Sequence, residues 1–167
     1  MIILGVDPGA ATTGYGVVDQ QGGGAISLVE CGVIRTDSAD PLAERLKAIY
    51  LGLSEVIARH HPAAVAVEGV FYARNVRTSI ILGHARGAIL LAATMRDVPV
   101  HEYSPAEIKN AVVGHGRAAK EQVQFMIQQR LRLRTPPQPS DAADGVAVAL
   151  CHCNAAQIDR LKAAVLR

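Results

Sequence analysis

The opening 34 residues alternate short apolar runs with turn residues, a pattern typical of β-strands. Residues 2–7 form an apolar run that ends at an acid and is followed by Pro8-Gly9. An extended pattern resumes at 15–18, and after the glycine turn at 22–24 a third apolar stretch covers 26–34. Apolar runs separated by Gly and Pro turns predict hairpins, so we expect three antiparallel strands to begin the fold.

The next apolar positions recur with helical spacing. Asp40-Pro41 combines an N-cap acid with proline at the first helical position, which predicts a helix start. Six apolar side chains then follow at helical intervals: Leu42, Leu46, Ile49, Leu53, Val56 and Ile57. This helix is expected to end near His61-Pro62. Residues 63–67 are apolar throughout and too short for a helix, so they predict a central strand with Glu68 at its end.

The second half of the chain predicts four helices and one more strand. A helix rich in small residues precedes a strand at 98–103. The sequence Ser104-Pro105-Ala106-Glu107 matches a capping box and starts a helix, which ends at the glycines of Gly114-His115-Gly116. A helix over 118–132 follows, and after a proline-rich segment the last helix is expected to run from Asp141 to about Ala156.

The element order β-β-β-α-β-α-β-α-α-α predicts one α/β domain over residues 1–167. We expect a mixed five-stranded sheet flanked by helices on both faces. The composition agrees, because 50% of the residues are hydrophobic and only 4% aromatic, which is typical of an aliphatic core and excludes a disordered chain.

The sequence predicts a soluble protein of the cytoplasm. No stretch reaches the roughly 18 apolar residues of a membrane span. The longest candidate, 87–95, lies between Arg86 and Arg96. The N-terminus lacks the basic region of a signal peptide. Three cysteines, an odd number, are typical of reduced thiols.

The small net charge of +2 conceals an uneven distribution. Residues 1–70 hold eight acids and four bases, whereas residues 109–134 hold six bases and the single acid Glu121. An acidic front and a basic later segment suit a polyanionic partner whose chemistry requires carboxylates.

Four carboxylates are the strongest candidates for chemistry. Asp7 and Glu68 each follow a strand, and Asp141 and Asp144 share one face of a helix. If these elements are neighbours, the acids converge and either raise one another's pKa or bind a hard divalent cation. Mg²⁺ is the expected ion, and two ions about 4 Å apart could support an in-line phosphodiester displacement.

Each carboxylate also has a structural interpretation when taken alone. Acids such as Asp141 and Asp144 are common in the first turn of a helix, where they complement the dipole. Asp7 before Pro8-Gly9 could serve only the turn. Glu68 is harder to explain structurally, since a charge at the end of an apolar strand needs a partner.

Basic and aromatic side chains are candidates for contact with nucleic acid. Lys109 and Lys120 flank the glycine turn at 114–116 and could reach phosphates. Phe71 could stack on bases or act as a wedge between them, with a buried loop anchor as the alternative. Three further cations complete the set of candidates: Arg74, Arg77 and Arg117. A solvated helix face remains the alternative for the basic segment.

Six motifs together resemble the RuvC family of Holliday junction resolvases, over residues 2 to about 154. The motifs are Gly5-Val6-Asp7-Pro8-Gly9, Thr13-Gly14-Tyr15-Gly16-Val17, Glu68-Gly69-Val70-Phe71, Gly83-His84-Ala85-Arg86-Gly87, Lys109-Asn110-Ala111-Val112-Val113-Gly114-His115-Gly116 and Asp141-Ala142-Ala143-Asp144. Gly69 departs from the pattern, in which Gln is the expected residue.

The resemblance implies a ribonuclease-H-like fold and a homodimer that nicks two opposing strands of a four-way DNA junction, leaving 5′-phosphate and 3′-hydroxyl ends. It gives the four carboxylates metal-binding catalytic roles, with Mg²⁺ replaceable by Mn²⁺. Lys109 and Lys120 match positions that contact DNA or assist catalysis, and Phe71 matches an aromatic that supports junction distortion. RuvA and RuvB, the branch-migration complex, are the implied partners, in the bacterial cytoplasm.

Two further expectations concern assembly and alternatives. The small residues at 83–92, Ala85 among them, are the candidate dimer interface. An actin-like or sugar-kinase-like protein shares the initial strand, acid and glycine turn but needs two such domains. A non-catalytic junction-binding protein would not need all four carboxylates. Another small ribonuclease-H-like nuclease, acting on RNA or replication intermediates, is the nearest enzymatic rival.

Overall fold

The computed structural model describes residues 1–69 and 75–165. Their five strands are β1 (Ile2–Asp7), β2 (Thr12–Gln20), β3 (Ile26–Arg35), β4 (Ala64–Glu68) and β5 (Val100–Tyr103). The helices are α1 (Leu42–His60), α2 (Val76–Thr94), α3 (Pro105–Val113), α4 (Lys120–Arg130) and α5 (Ser140–Val165). The order of strands and helices along the chain is the predicted one.

The strands form one mixed sheet in the order β3-β2-β1-β4-β5. β1, β2 and β3 pair antiparallel, whereas β4 pairs parallel to both β1 and β5. This confirms the predicted mixed five-stranded sheet. Because β1, β4 and β5 run in the same direction, their carboxyl ends meet at one edge of the sheet.

Helices cover both faces of the sheet, and each face has its own aliphatic core. Leu4 and Val67 belong to the core on the side of α1 and α2, where Leu53 of α1 is also buried. Ile3 and Ala66, their neighbours along the strands, belong to the core on the side of α3, α4 and α5. Successive residues of a strand point to opposite faces of a sheet, so the continuous apolar runs of β1 and β4 supply both cores. The scarcity of aromatic residues reflects this aliphatic interior, as expected.

Helix α5 lies almost in backbone contact with β1 and β2 because glycines occupy the positions where the backbones meet. A methyl group at Gly14 of β2 would overlap the carbonyl oxygen of Asp141, and one at Gly145 of α5 would collide with the backbone of Tyr15. We call Gly14 and Gly145 the glycine contact. Only residues without a side chain allow this approach, which brings the start of α5 to the end of β1.

Some predicted boundaries were wrong. Pro41 is itself the N-cap of α1, and the Asp40 side chain does not cap the helix. Helix α4 is shorter than the predicted 118–132, since it covers Lys120–Arg130. Helix α5 continues to Val165 instead of ending near Ala156, because the sequence after Ala156 contains neither Gly nor Pro to stop it.

By length and composition alone, helix α2 could cross a membrane. Only 22% of its most apolar 18-residue stretch is buried in the structure. One such helix is weak evidence, because core helices of soluble proteins meet the same criteria. In this chain, Ala85, Ile89, Ala92 and Ala93 of α2 pack against the sheet and α1.

Candidate active site

Asp7 and Glu68 lie side by side at the carboxyl ends of two paired strands. Asp7 ends β1 and Glu68 ends β4, and the residues just before them, Val6 and Val67, are partners in the parallel ladder. Both side chains are half-buried, and each carboxyl group affects the pKa of the other. Two neighbouring carboxylates repel each other, which favours keeping a proton on one of them.

The surroundings of this pair favour the protonated form. Burial raises the pKa of Asp7, and the adjacent Glu68 carboxylate raises it further. Burial also raises the pKa of Glu68, as does the Asp144 carboxylate, whereas the neighbouring Asp7 and the Lys109 and Lys120 ammonium groups lower it. A divalent cation bound between these two half-buried acids would stabilise both in their ionised form.

Two further carboxylates reach this pair from α5. Asp141 and Asp144 lie in the first two turns of the helix, where the glycine contact holds it against the sheet. Carboxylate oxygens of Asp7, Asp141 and Asp144 all lie within 4.8 Å of one another. Glu68 is not part of that threefold group and joins it through Asp7. Sequence positions 7, 68, 141 and 144 thus converge, as their pattern predicted.

The residues fit a hard divalent cation. Mg²⁺ binds carboxylate oxygens at about 2.1 Å, so oxygens on opposite sides of one ion lie about 4 Å apart. Small side-chain shifts would bring the oxygens of Asp7, Asp141 and Asp144 from their 4.8 Å span to that geometry. The donor set contains only oxygen, which suits Mg²⁺ or Mn²⁺ rather than a thiol-binding metal.

Two lysines share the cleft with the acids. Lys120, the first residue of α4, places its Nζ 2.6 Å from Oδ2 of Asp144. This hydrogen bond is the main reason why the pKa of Lys120 is raised, so the ammonium form is stabilised. Lys109 of α3 lines the same cleft of about 230 Å³, together with Asp7 and Glu68. Both lysines, which the sequence suggests as phosphate contacts, therefore lie beside the acids.

The other candidate side chains lie elsewhere. Arg77 is exposed at the start of α2 and lines a different cleft, beside Ser38 and Asp40. Arg117 is exposed in the turn between α3 and α4 and does not line the acidic cleft. Phe71 and Arg74 lie outside the described residues.

Hydrogen bonds to the loop after Asp7 were not predicted. The loop, residues 8–11, is held by Thr13, Thr36 and Arg45. The sequence offers little sign of them, because Arg45 adjoins the apolar stripe of α1 and Thr36 follows β3 without a recognisable pattern. Their partners are backbone carbonyls, which are the same in every sequence.

Comparison with known proteins identifies the family. A family model described as Crossover junction endodeoxyribonuclease RuvC matches residues 3–152. The chain belongs to the RuvC family. Its similarity to RuvC of Pelotomaculum thermopropionicum, a crossover junction endodeoxyribonuclease, is 51% identity over 154 residues, covering 92% of this chain and 93% of the relative.

Solved RuvC structures agree with this chain over nearly its whole length. Thermus thermophilus RuvC superposes with a TM-score of 0.89 at 40% identity, covering 95% of this chain and 97% of that chain. T. thermophilus RuvC in complex with a Holliday junction substrate gives a TM-score of 0.86 at 37% identity, covering 95% and 96%. The family resemblance and the ribonuclease-H-like fold are confirmed, and the chain is a nuclease.

Proposed function

We propose that the four carboxylates form the catalytic centre of an endonuclease that resolves four-way DNA junctions by nicking two opposing strands. The observation that carries this proposal is the convergence of Asp7, Glu68, Asp141 and Asp144 at one edge of the sheet, with two lysines in the same cleft. We further propose that residues 1–167 are a single nuclease domain.

The acids are proposed to hold Mg²⁺, with two ions per site and Mn²⁺ as a substitute. When bound, the cations would activate a water for attack on phosphorus and stabilise the leaving oxygen. Asp7, Asp141 and Asp144 supply oxygens within 4.8 Å of one another, and Glu68 lies beside Asp7. Lys120 and Lys109 place positive charge where a scissile phosphate would enter the cleft.

The end chemistry gives a direct test of the proposal. Attack of water on phosphorus with departure of the 3′ oxygen leaves 5′-phosphate and 3′-hydroxyl ends, which DNA ligase seals without other treatment. A synthetic four-way junction, a linear duplex of the same sequence and an RNA–DNA hybrid should be compared with Mg²⁺ present. We expect paired, ligatable nicks in the junction. Equal turnover of the duplex or the hybrid would contradict the proposal and favour a different ribonuclease-H-like nuclease.

Contacts to DNA are proposed for cations around the cleft. Lys109 and Lys120 line it, whereas Arg77 and Arg117, which do not line it, are exposed and proposed as additional phosphate contacts. Phosphate contacts of this kind supply affinity that falls with salt and is independent of base sequence. Arg74 and Phe71, outside the described residues, keep their proposed roles as a phosphate contact and as the aromatic that supports junction distortion.

Replacing Lys120 with methionine tests the role of the ammonium beside Asp144. We expect Lys120→Met to cut junctions about 10–100-fold more slowly, the range typical of residues that tune a metal centre. The metal-free protein should also melt at a lower temperature, because the acids lose their nearest cation. Single-turnover cleavage and thermal melting in EDTA measure these effects.

The matched control for Lys120→Met is Lys162→Met, which removes an exposed ammonium from α5. It should leave cleavage and melting temperature unchanged. Wild-type cleavage by Lys120→Met would remove Lys120 from the proposed mechanism.

A homodimer is proposed to present two such sites to the two strands that are cut. Helix α2 carries an exposed apolar stripe whose members are each more than half exposed: Val76, Ile80, Leu91 and Met95. Gly83 and Gly87 lie in open space on this helix. A second copy of the chain is the proposed occupant, because a junction nicked on two strands needs two sites, and the described residues of one chain hold one acidic cluster.

The predicted interface needs one correction. Ala85 is fully buried against the sheet, so it does not belong to the exposed face of the small-residue segment. A bulky residue at position 85 would disrupt the core and would not report on dimerisation. Leu91, which lines an apolar groove of about 410 Å³ with Leu46 and Tyr50 of α1, is the better position to test.

The variant Leu91→Glu is expected to weaken the dimer at least about 30-fold, corresponding to roughly 2 kcal/mol for a central interface residue. A carboxylate would replace an apolar side chain inside the interface, where its desolvation is costly. Sedimentation equilibrium measures the change. Leu161→Glu, at an exposed position of α5, is the control and should dimerise normally. An unchanged dimer in Leu91→Glu would place the interface elsewhere.

The cellular setting is inferred from the family. RuvA and RuvB, which drive branch migration, are the proposed partners, and the bacterial cytoplasm is the proposed compartment. The free thiols of Cys31, Cys151 and Cys153 are compatible with a reducing environment.

A further inference from the structure

The loop that follows Asp7 is anchored through its backbone carbonyls. Asp7 ends β1, and residues 8–11 connect it to β2. The carbonyl of Gly9 accepts a hydrogen bond at 2.7 Å from the hydroxyl of Thr13, whose side chain is fully buried. This anchor lies within the hairpin itself and leaves the middle of the loop to be held by other elements.

The middle of the loop is held by two side chains from a different part of the chain, Arg45 and Thr36, which we call the Arg45–Thr36 fork. The carbonyl oxygen of Ala10 accepts two hydrogen bonds, from Nη2 of Arg45 at 2.7 Å and from Oγ1 of Thr36 at 2.5 Å. Arg45 Nε donates to the same hydroxyl at 3.2 Å, which directs the hydroxyl proton towards Ala10. The amide of Thr36 donates to the carbonyl of Ala11 at 3.0 Å.

The guanidinium group of Arg45 donates to a backbone carbonyl and a hydroxyl rather than to a carboxylate. Guanidinium groups in proteins commonly pair with carboxylates. Among residues 1–69 and 75–165, however, no ion pair involves Arg45, and both of its bonded nitrogens face Ala10 and Thr36. The side chain is half-buried on α1, on the face of the sheet opposite α5.

We propose that Arg45 is a positioning residue for the acidic cluster: by holding the Ala10 carbonyl, it fixes the path of the chain after Asp7 and hence the direction of the Asp7 carboxylate. The inference rests on the proposed function of the cluster as a metal centre. The β1 ladder fixes Asp7 from the strand side, and the Arg45–Thr36 fork fixes the loop on its other side. The two restraints together determine where the carboxylate points.

Replacing Arg45 with methionine tests the proposal. Residues that orient the ligands of a metal typically contribute 10–100-fold to metal affinity or activity. We expect Arg45→Met to lower kcat for junction cleavage by about that factor and to weaken Mn²⁺ binding, measured by calorimetry on the DNA-free protein, about 10-fold. The junction Kd in EDTA should stay within about twofold of wild type. Lys162→Met removes an exposed charge on α5, and it should behave as wild type in all three measurements.

A contact with DNA phosphate is the principal competing role, because Arg45 lines an open cleft together with Arg77. In that case Arg45→Met would raise the junction Kd, flatten its salt dependence and leave Mn²⁺ binding unchanged. That result would overturn the proposal. A purely structural role would also overturn it, and would appear as a lower melting temperature with normal Mn²⁺ binding at a temperature where the variant is folded.

Two more variants keep the test decisive if Arg45→Met folds poorly. Arg45→Lys keeps the charge but lacks the planar fork, so we expect only partial recovery of kcat and Mn²⁺ affinity. Thr36→Val removes the second donor to Ala10 without changing charge, so it should weaken Mn²⁺ binding with an unchanged salt dependence of junction binding. If Thr36→Val bound Mn²⁺ with wild-type affinity, the positioning role proposed for the Arg45–Thr36 fork would be contradicted. If wild-type protein bound no Mn²⁺ at all, the proposed metal centre itself would fail.

Discussion

The Asp7→Asn variant is expected to bind a four-way junction with wild-type affinity and to cut it at least about 1,000-fold more slowly, the loss of roughly 4 kcal/mol of transition-state stabilisation. Asp7 belongs to the group of three acids whose oxygens lie within 4.8 Å of one another, and the neighbouring Glu68 raises its pKa. Binding should persist because phosphate contacts come from Lys and Arg. Single-turnover cleavage with Mg²⁺ and a binding titration in EDTA measure the two effects.

The same variant should make the metal-free protein more stable at neutral pH. The pKa of Asp7 is raised above its ordinary 3.8 by burial and by Glu68, so the folded state binds this proton more tightly than the unfolded state does. The stabilisation from the proton is complete below pH 3.8 and is lost as the pH rises towards the raised pKa of the folded state. Asn cannot ionise, so Asp7→Asn avoids this loss of stability. In EDTA at neutral pH, the variant should therefore melt a few degrees higher than the wild-type protein.

The control for Asp7→Asn is Asp159→Asn, which neutralises an exposed acid on α5. It should change neither cleavage nor the pH dependence of melting. Cleavage by Asp7→Asn at the wild-type rate would exclude Asp7 as a ligand and, with it, the proposed catalytic centre.

The variant Gly14→Ala is expected to lose both stability and activity. Its methyl group would overlap the carbonyl oxygen of Asp141, so α5 has to move away from β2. Overpacking of this kind costs about 1–3 kcal/mol in the free energy of unfolding. Displacing Asp141 and Asp144 by about 1 Å should slow cleavage roughly 100-fold, since such misplacements have effects of that size. Thermal melting and cleavage below the melting transition separate the two losses.

Gly22→Ala is the matched control, because a methyl group at Gly22 meets nothing within 4 Å. It should retain wild-type cleavage and stability. If Gly14→Ala were as active and stable as Gly22→Ala, then the distance between α5 and the sheet would not depend on the glycine contact.

Local signals in the sequence predict the elements and much of the site. The capping box is present, with the Ser104 hydroxyl accepting from the Glu107 amide at 3.2 Å and the Glu107 carboxylate accepting from the Ser104 amide at 2.7 Å. Asp7 and Glu68 stand out in the sequence because each is an acid at the end of an apolar run. The parallel pairing of β1 and β4 then places them together.

Contacts between distant segments could not be predicted in the same way. The sequence places Arg130 in a basic segment, but its side chain donates to the carbonyl of Ala111 at 2.8 Å and to Oδ1 of Asn154 at 2.9 Å, and so joins α3, α4 and α5. The Arg45 fork is likewise aimed at a backbone carbonyl. Backbone acceptors have no signature in the sequence, and only the fold determines which of them a side chain can reach.

The position of α5 along the chain has a consequence for the newly made protein. Asp7 and Glu68 lie early in the sequence, whereas Asp141 and Asp144 come after β5, α3 and α4. A ribosome that has reached the end of α4 has therefore synthesised all five strands but only two of the four acids. If the four acids form the catalytic centre, as proposed, the growing chain can cut DNA only after the last helix has been made and has docked.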